Sequence, residues 1–443
     1  MTATQVQVID AVEQLGLRVT VGDIAAETGL SLVDARHQIQ ELAQSADGHL
    51  QVSEQGEIAY AFDSNFRSIL ARKSRRSKLE VYRRWIWGAF LYSLKISFGI
   101  ILVVSIVLAM VVIAILIAAS SQGSGDRRKE SQSSRGYGGG YFRGPNIWLW
   151  GNPFFGHHRR RSSNRRVASL SSSAGEDAQL NFLEAVYSFL FGDGDPNADL
   201  EERQDRAIAN RIATSGGVLA VEEVLPYLQA PPKEQQLDDE LADFEDLMLP
   251  VLVKYDGFPE VSDRGDIVYR FPELQVTADD DNLPAPAHQP TYLEESPWTF
   301  SLATSNQRTL IAGLGALNFV LWAGLQASAP ELASITGVPT ALVTLVFGVL
   351  LLYGTGFLIV PLVRWFAIQR RNRPLAERNQ RRKFWQLQLQ SPSDTLKHKR
   401  TFARQFARTE VFEENEAIYR GDRDITEQRD YQLDSPEFRA LND

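Results

Sequence analysis

VSEQGEIAYAF (residues 52–62) and VSDRGDIVYRF (residues 261–271) are one stretch written twice. They align without a gap, and two acidic positions exchange only Glu for Asp: Glu54 for Asp263 and Glu57 for Asp266. Each copy reads as two short strands about a tight turn. Gly56 and Gly265 fall where the chain reverses, and glycine takes positive φ there without steric penalty. Ile58, Tyr60 and Phe62 alternate onto one face, as do Ile267, Tyr269 and Phe271.

The residues before the first hairpin have helical spacing over 5–14, with Val6, Ile9 and Val12 apolar, then a short strand at 17–19. Thr20 with Asp23 makes a T-x-x-D capping signal for a second helix ending near Gly29, and Ser31 caps a third from Leu32 to about Ala43. Helix, strand, helix, turn, helix and hairpin is the order of a winged helix. The second copy repeats it more loosely. Its first helix starts near Arg203, its strand is 218–220 and its second helix is 221–228. A long helix from Leu237 to about Leu249 follows, with Pro226 and Pro250 bending or ending their helices.

Between and beyond the copies the texture changes. The fold class expected is α+β and membrane-bound, with two winged-helix modules and three hydrophobic transmembrane helices. The modules are 1–66 and 180–276, the latter including an amphipathic helix over LNFLEAVYSFLFG (180–192) that either packs in a core or lies on a membrane. A basic juxtamembrane segment (67–84) precedes the first apolar run (85–119), and a Ser/Gly/Arg-rich linker unable to bury a core fills 120–179. In that linker, NIWLWGNPFF (146–155) reads as a local collapse or a dip into headgroups. An acidic, proline-containing linker (277–307) leads to the second and third runs (308–328 and 338–367), then a charged tail (368–443). The apolar heart of the first run, 96–119, is about 36 Å long as a helix, enough to span. Gly313, Gly315 and Gly324 suit close packing against another helix.

The basic flanks conflict over sidedness. Arg364 to Lys383 place the tail inside by the positive-inside rule, and the hairpin of runs two and three puts 120–307 on that side too. The flank before Trp85 is equally basic, and one crossing cannot keep both on one side. Either the first run is tilted, re-entrant or interfacial, or one basic flank is translocated. Arg72, Lys73, Arg75, Arg76 and Lys78 are the candidate contacts to anionic lipid headgroups.

Composition closes several routes. There is no cysteine among 443 residues, so no disulfide, thiolate metal site or cysteine nucleophile is available. The formal charge of −9 opposes general nucleic-acid binding. Residues 1–66 hold two basic residues, Arg18 and Arg36, against ten acidic ones. Helix 32–43 sets Arg36 and His37 beside Asp34 and Glu41, and the second candidate helix carries Asp238, Asp239, Asp243 and Asp246. Such faces repel phosphate and suit protein docking, so Asp34, Arg36, Glu41, Asp238, Asp239, Asp243 and Asp246 are the candidate interaction residues. Asp193, Asp195 and Asn197 sit as in a calcium loop, but Ala198 replaces its glycine and Gln204 its bidentate acid. A turn with Asp195, Asn197 or Asp199 capping the next helix is the simpler reading. The six histidines have no ligand-like spacing, and no nucleophile elbow or nucleotide motif occurs, so no cofactor and no enzymatic activity are expected. Lys95, the one formal charge within the apolar runs before their ends, suits snorkelling better than transport. The N-terminal MTATQVQVIDAV predicts no cleavable signal.

FLEAVYSFLFGDGDPN (182–197), with VSDRGDIVYRF and the three apolar runs, resembles a family of cyanobacterial and plastid thylakoid membrane proteins. Its plant members are labelled as iron–sulfur cluster biosynthesis proteins and linked to photosystem I assembly. The resemblance implies a thylakoid or cyanobacterial plasma-membrane location and an assembly role with photosystem subunits or assembly factors as partners. It carries over no catalytic residue, and a chain without cysteine has none to ligate a cluster. The function expected is a membrane-anchored scaffold contacting lipid and protein partners. The alternatives are a membrane-tethered transcription regulator and a small transporter subunit.

Overall fold

The computed structural model describes residues 3–53, 55–73, 78–122, 181–232, 246–279, 290–412 and 417–421. In chain order the elements begin with α1 (Ala3–Gln14), β1 (Arg18–Thr20), α2 (Val21–Thr28), α3 (Leu32–Ala46), β2 (His49–Ser53), β3 (Ile58–Ala61) and α4 (Phe66–Lys73). The long α5 (Lys78–Gln122) and α6 (Phe182–Phe191) follow. The second copy is α7 (Leu200–Thr214), β4 (Val218–Leu219), α8 (Leu249–Tyr255), β5 (Phe258–Val261) and β6 (Ile267–Arg270), with β7 (Val276–Thr277) after it. Last come α9 (Ser305–Leu325), α10 (Ala329–Thr336), α11 (Thr340–Gln390), α12 (Asp394–Ala403), β8 (Glu410–Val411) and β9 (Ala417–Arg420). The chain divides into an α+β unit (1–79, 196–297, 373–443) and a helical unit (80–195, 298–372).

In the α+β unit the two quoted stretches fold alike. Val52 faces Ile58 as Val261 faces Ile267, and Val19 faces Tyr60 as Leu219 faces Tyr269. The turns close with the same bond: Ser53 N donates to Glu57 O and Ser262 N to Asp266 O, each at 2.9 Å. Gly56 and Gly265 have φ of 85° and 84°. The sheets run β1-β3-β2 and β4-β6-β5.

The helices before the first hairpin begin and end where their caps lie. Asp23 N donates to Thr20 Oγ1 at 3.1 Å and Thr20 N to Asp23 Oδ2 at 2.9 Å, closing the capping box. Gly29 ends α2 at φ 75°. In the second copy the expected helix 221–228 is instead two 3₁₀ turns, Val221–Glu223 and Leu225–Tyr227. Pro226 explains this, since its ring cannot sit within an α-helix interior. The expected helix from 237 to 249 lies largely outside the described residues. The described helix α8 starts at Leu249, and Pro250 opens it rather than ending it, because the first turn does not use the missing N–H.

The two copies share one core. Val12, Ile24, Ile39 and Tyr60 of the first belong to the same buried cluster as Ile208, Ile212, Leu219 and Phe271 of the second. The backbones meet closely. A Cβ on Gly22 would lie 2.2 Å from Glu273 O, and one on Gly29 would lie 2.5 Å from Arg206 N. Tyr255, buried in α8, points its hydroxyl at Asp205 O (3.0 Å) and Gly29 O (3.3 Å). Asp23 Oδ2 also accepts from Ala278 N at 2.9 Å, so the cap of one copy fixes the chain leaving the other.

The tail, expected to be charged and partly helical, straps this unit. Ala403 of α12 packs with Val218 and Val268, and Lys399 Nζ reaches Glu222 at 2.8 Å. β8 pairs in parallel with β7, and β9 adds to the outer edge of β2. Phe412 is fully buried with the Arg18 guanidinium 4.9 Å from its ring centre.

The helical unit holds three segments long and apolar enough to cross a membrane: Ala89–Ser121, Ser305–Thr336 and the start of Thr340–Gln390. α5 is one unbroken helix of 45 residues, which excludes a re-entrant turn. The short connection between the second and third runs contains α10, and α11 runs on to Gln390. Of the three glycines expected to pack closely, only Gly315 does, against Phe357; Gly313 and Gly324 have open space where a Cβ would be. Gly99 and Gly354 were missed: a Cβ on Gly99 would meet Leu183 at 2.6 Å, and one on Gly354 would lie 3.1 Å from the Phe319 Cα. Leu183 belongs to α6, so the expected 180–276 module is divided: α6 is part of the helical unit and packs Ala185, Val186 and Leu190 with Leu102 and Ile311.

Gly22→Ala should lower the stability of the α+β unit by about 1–3 kcal/mol, the usual cost of overpacking. Both copies should melt together, followed by hydrogen exchange at Ile39 and Ile212. Separate losses at the two sites would deny the common core.

Candidate functional site

The side chains proposed to meet a partner are dispersed. Asp34 is tied to Ser31, whose hydroxyl donates to Asp34 Oδ2 at 2.7 Å, and Glu41 accepts from Gln5 Nε2 at 2.9 Å. Arg36 ion-pairs with Glu273 at 3.0 Å. Asp246 is exposed at the start of a 3₁₀ turn leading into α8, while Asp238, Asp239 and Asp243 lie outside the described residues. Of the headgroup candidates, Arg72 and Lys73 end α4 and Lys78 begins α5; Arg75 and Arg76 lie outside the described residues.

What the charge pattern missed is apolar. Leu249 and Val253, one helical turn apart on α8, are 63% and 77% exposed, and Phe258 and Val261 on β5 are 51% and 62% exposed. Val33 on α3 is likewise exposed. Scattered exposed apolar residues are ordinary. Here four fall within 13 consecutive residues (249–261), and β5 is the outer strand of its sheet. The signal in the sequence was Val261, aligned with Val52.

The aspartate turn after α6 is structural. Asp193 Oδ2 accepts from Ser188 Oγ and from Leu302 N, both at 2.9 Å. In the α+β unit Asn197 bonds both backbone groups of Ser296, donating to its O and accepting from its N at 2.8 Å each. Asp199 stands at the N-cap of α7, yet its carboxylate takes the Arg203 guanidinium at 3.1 Å instead of capping. Among the described residues no three His, Asp or Glu side chains gather as a metal site would require.

Two arginines read as topology-setting flank charges are fixed by polar partners. Arg364 donates to the carbonyls of Ser188 and Phe189, at 3.1 and 3.2 Å, and to Phe300 O. The carbonyls of Ser188 and Phe189 are at the C-terminal end of α6, where a cation also meets the negative end of the helix. Gly192, at φ 84°, leaves room for this guanidinium. In the α+β unit Arg382 is wholly buried. It donates to Leu228 O and Gln229 O at 2.8 Å and meets the buried Glu295, also at 2.8 Å. Arg378 forks onto the same carboxylate. Burial alone would raise the Glu295 pKa, but hydrogen bonds from Arg378 and Arg382 and their charges outweigh it and hold it below the ordinary value.

The helical unit has its own polar centre. Trp322 Nε1 donates to Ser105 Oγ at 2.7 Å, and Ser105 donates to Asn318 Oδ1 at 2.7 Å. Tyr353 donates to Phe98 O at 2.8 Å. In hydrocarbon such bonds hold helices together.

Together these features define an α+β unit made of two fused repeats, carried in one chain with three helices long and apolar enough to cross a membrane. A protein of Arabidopsis thaliana, "Uncharacterized protein At5g03900, chloroplastic", is 33% identical over 446 residues, covering 98% of this chain and 81% of the relative. The chain belongs to the family of that protein. The relative's description names a plastid and neither an iron–sulfur nor a photosystem role. No protein-family model matches the chain, and no solved structure matches it.

Glu295→Gln should cost about 3–5 kcal/mol at pH 7, the price of stranding a buried arginine. Because the folded pKa is lowered, the wild-type advantage is full above the unfolded carboxylate value near 4.5 and fades as pH falls through the folded value. Denaturant midpoints between pH 3 and 7 measure this, and a gap that does not shrink in acid would refute it.

Proposed function

We propose that this protein is a membrane-anchored, non-enzymatic scaffold that docks protein partners and helps assemble or maintain a membrane complex. Each repeat is read as a winged helix, and the three apolar helices as membrane anchors. The carrying observation is the state of α3, the helix that a DNA-binding winged helix would lay in the major groove. Its one arginine, Arg36, is already engaged by Glu273. Its other exposed residues include Val33, Asp34, His37, Gln40 and Glu41, which add two carboxylates and no lysine or further arginine for phosphate to meet. A folded surface that is acidic and apolar suits polypeptide better.

The chloroplastic relative supports a thylakoid setting, and the resemblance of FLEAVYSFLFGDGDPN to thylakoid proteins makes photosystem I the first complex to examine. The polar centre at Ser105, Asn318 and Trp322 suits helix locking. It offers no charged path for a transported ion, and Lys95 lies 5.4 Å from the Tyr187 ring centre, engaged with an aromatic face.

Crosslinking of the full chain in native membranes, followed by mild detergent extraction, should recover defined protein partners through the α+β unit. The same preparation should not shift duplex DNA even at low salt, where phosphate contacts are strongest. Salt-sensitive DNA binding, or purification without any crosslinked partner, would overturn the proposal.

A further inference from the structure

The two repeats differ at one edge. In the first, the outer strand β2 is covered: Gln51 faces Arg420, Val52 faces Tyr419 and Ser53 faces Ala417, with a bulge between Val52 and Ser53. Gly421 N closes the pairing on Leu50 O at 2.9 Å. Gln51 and Ser53 are consequently buried. In the second repeat the equivalent strand β5 ends its sheet, and among the described residues no strand pairs with it.

The equivalence holds at the level of hydrogen bonds. Ser53 N and Ser262 N both point inward across their hairpins, to Glu57 O and Asp266 O. Backbone groups alternate in an antiparallel pair, so those of Val52 point outward to β9, and those of Val261 point outward to no described strand. Two of the three edge residues are identical, Val52 with Val261 and Ser53 with Ser262. The third is Gln51 in one repeat and Glu260 in the other, and its counterpart across the occupied edge is Arg420. The open edge thus puts an acid where the filled edge meets an arginine. Pro259 stands where Leu50 does. It keeps the acceptor that Gly421 uses at Leu50 and removes the neighbouring donor, which ends pairing there and guards against indiscriminate edge association.

We propose that Glu260–Ser262, the end of β5 and the residue after it, is a docking edge for a short extended strand of another polypeptide, with a basic residue opposite Glu260 and a bulky apolar or aromatic one opposite Val261. This chain's own residues 417–420, AIYR, fill the sister edge with that pattern. Phe258 and Val261 supply exposed apolar surface beside the edge, and the acidic Asp256, Asp263 and Asp266 surround it in sequence. Strand addition of this kind draws affinity from the backbone and selectivity from alternate side chains. The inference rests on the docking reading above and names where one partner binds.

The test uses the full-length protein in detergent and a capped synthetic peptide, AIYRG, copied from residues 417–421. Without peptide, the Val52 amide should exchange slowly and the Val261 amide quickly. Added peptide should slow exchange at Val261 while leaving Val52 unchanged. Val261→Pro, which removes the outward donor, should weaken binding at least tenfold. Glu260→Lys should weaken AIYRG several-fold and favour AIYEG instead, a charge exchange that misfolding would not produce. Protection appearing at Leu50–Ser53, binding indifferent to both substitutions, or no binding at millimolar peptide would each overturn the proposal. Those failures would leave crosslinked partners of the whole unit in place, so they are distinct from failure of the scaffold reading.

Discussion

A hydrophobic core cannot be divided by a bilayer. The core of the α+β unit takes side chains from residues 1–79 and from residues 196–297, and their backbones touch at Gly22 and Gly29. These two parts of the chain therefore lie on one side of any membrane the protein occupies. The apolar helix α5 falls between them in sequence. On the membrane reading, an even number of crossings must separate residue 79 from residue 196. α9 and α11 meet the same parity, since two crossings return the chain from 297 to 373. The shared core sharpens the conflict between the basic flanks: the N-terminal repeat and the tail are one folded body, yet α5 is the one helix long enough to cross among the described residues between 79 and 196, and as a single full crossing it would part them. The arginines counted as orientation signals are partly spent elsewhere, Arg382 and Arg378 on Glu295 and Arg364 on the end of α6.

How much of this could be read from the sequence depended on whether the deciding interaction was local. The hairpin turns at Gly56 and Gly265, the Thr20–Asp23 capping box and the end of α2 at Gly29 are set by residues within four of each other, and all were legible. The second repeat was legible in outline only. Pro226 and Pro250 perturb its helices, and a proline's effect depends on whether it falls in a first turn or an interior. The tail was not legible as structure. Lys399, Arg400 and Phe412 are ordered by Glu222, Glu223 and Arg18, partners far away in sequence. Glu295 looked like one more acid in an acidic linker for the same reason.

The candidate site was legible through its charges and obscured by its apolar part. Asp34, Glu41 and Arg36 stand out in the sequence as charges, but each is occupied within the fold. The edge of β5 looks like an ordinary strand until its sister is seen covered by β9. The internal repeat is what turns that edge from a common surface feature into a specific one. In the helical unit, Ser105 and Asn318 drew no reading from the sequence. Their meeting with Trp322 required knowing which helix faces touch.

The absence of cysteine makes the central claim directly measurable. Single cysteines at the exposed positions Gln44 and Arg264, one in each repeat, can be reacted with a membrane-impermeant maleimide in sealed native vesicles. One core on one side predicts that both react before permeabilisation or both only after it. Labelling of one from outside and the other only after the membrane is opened would contradict the shared core and the account built on it.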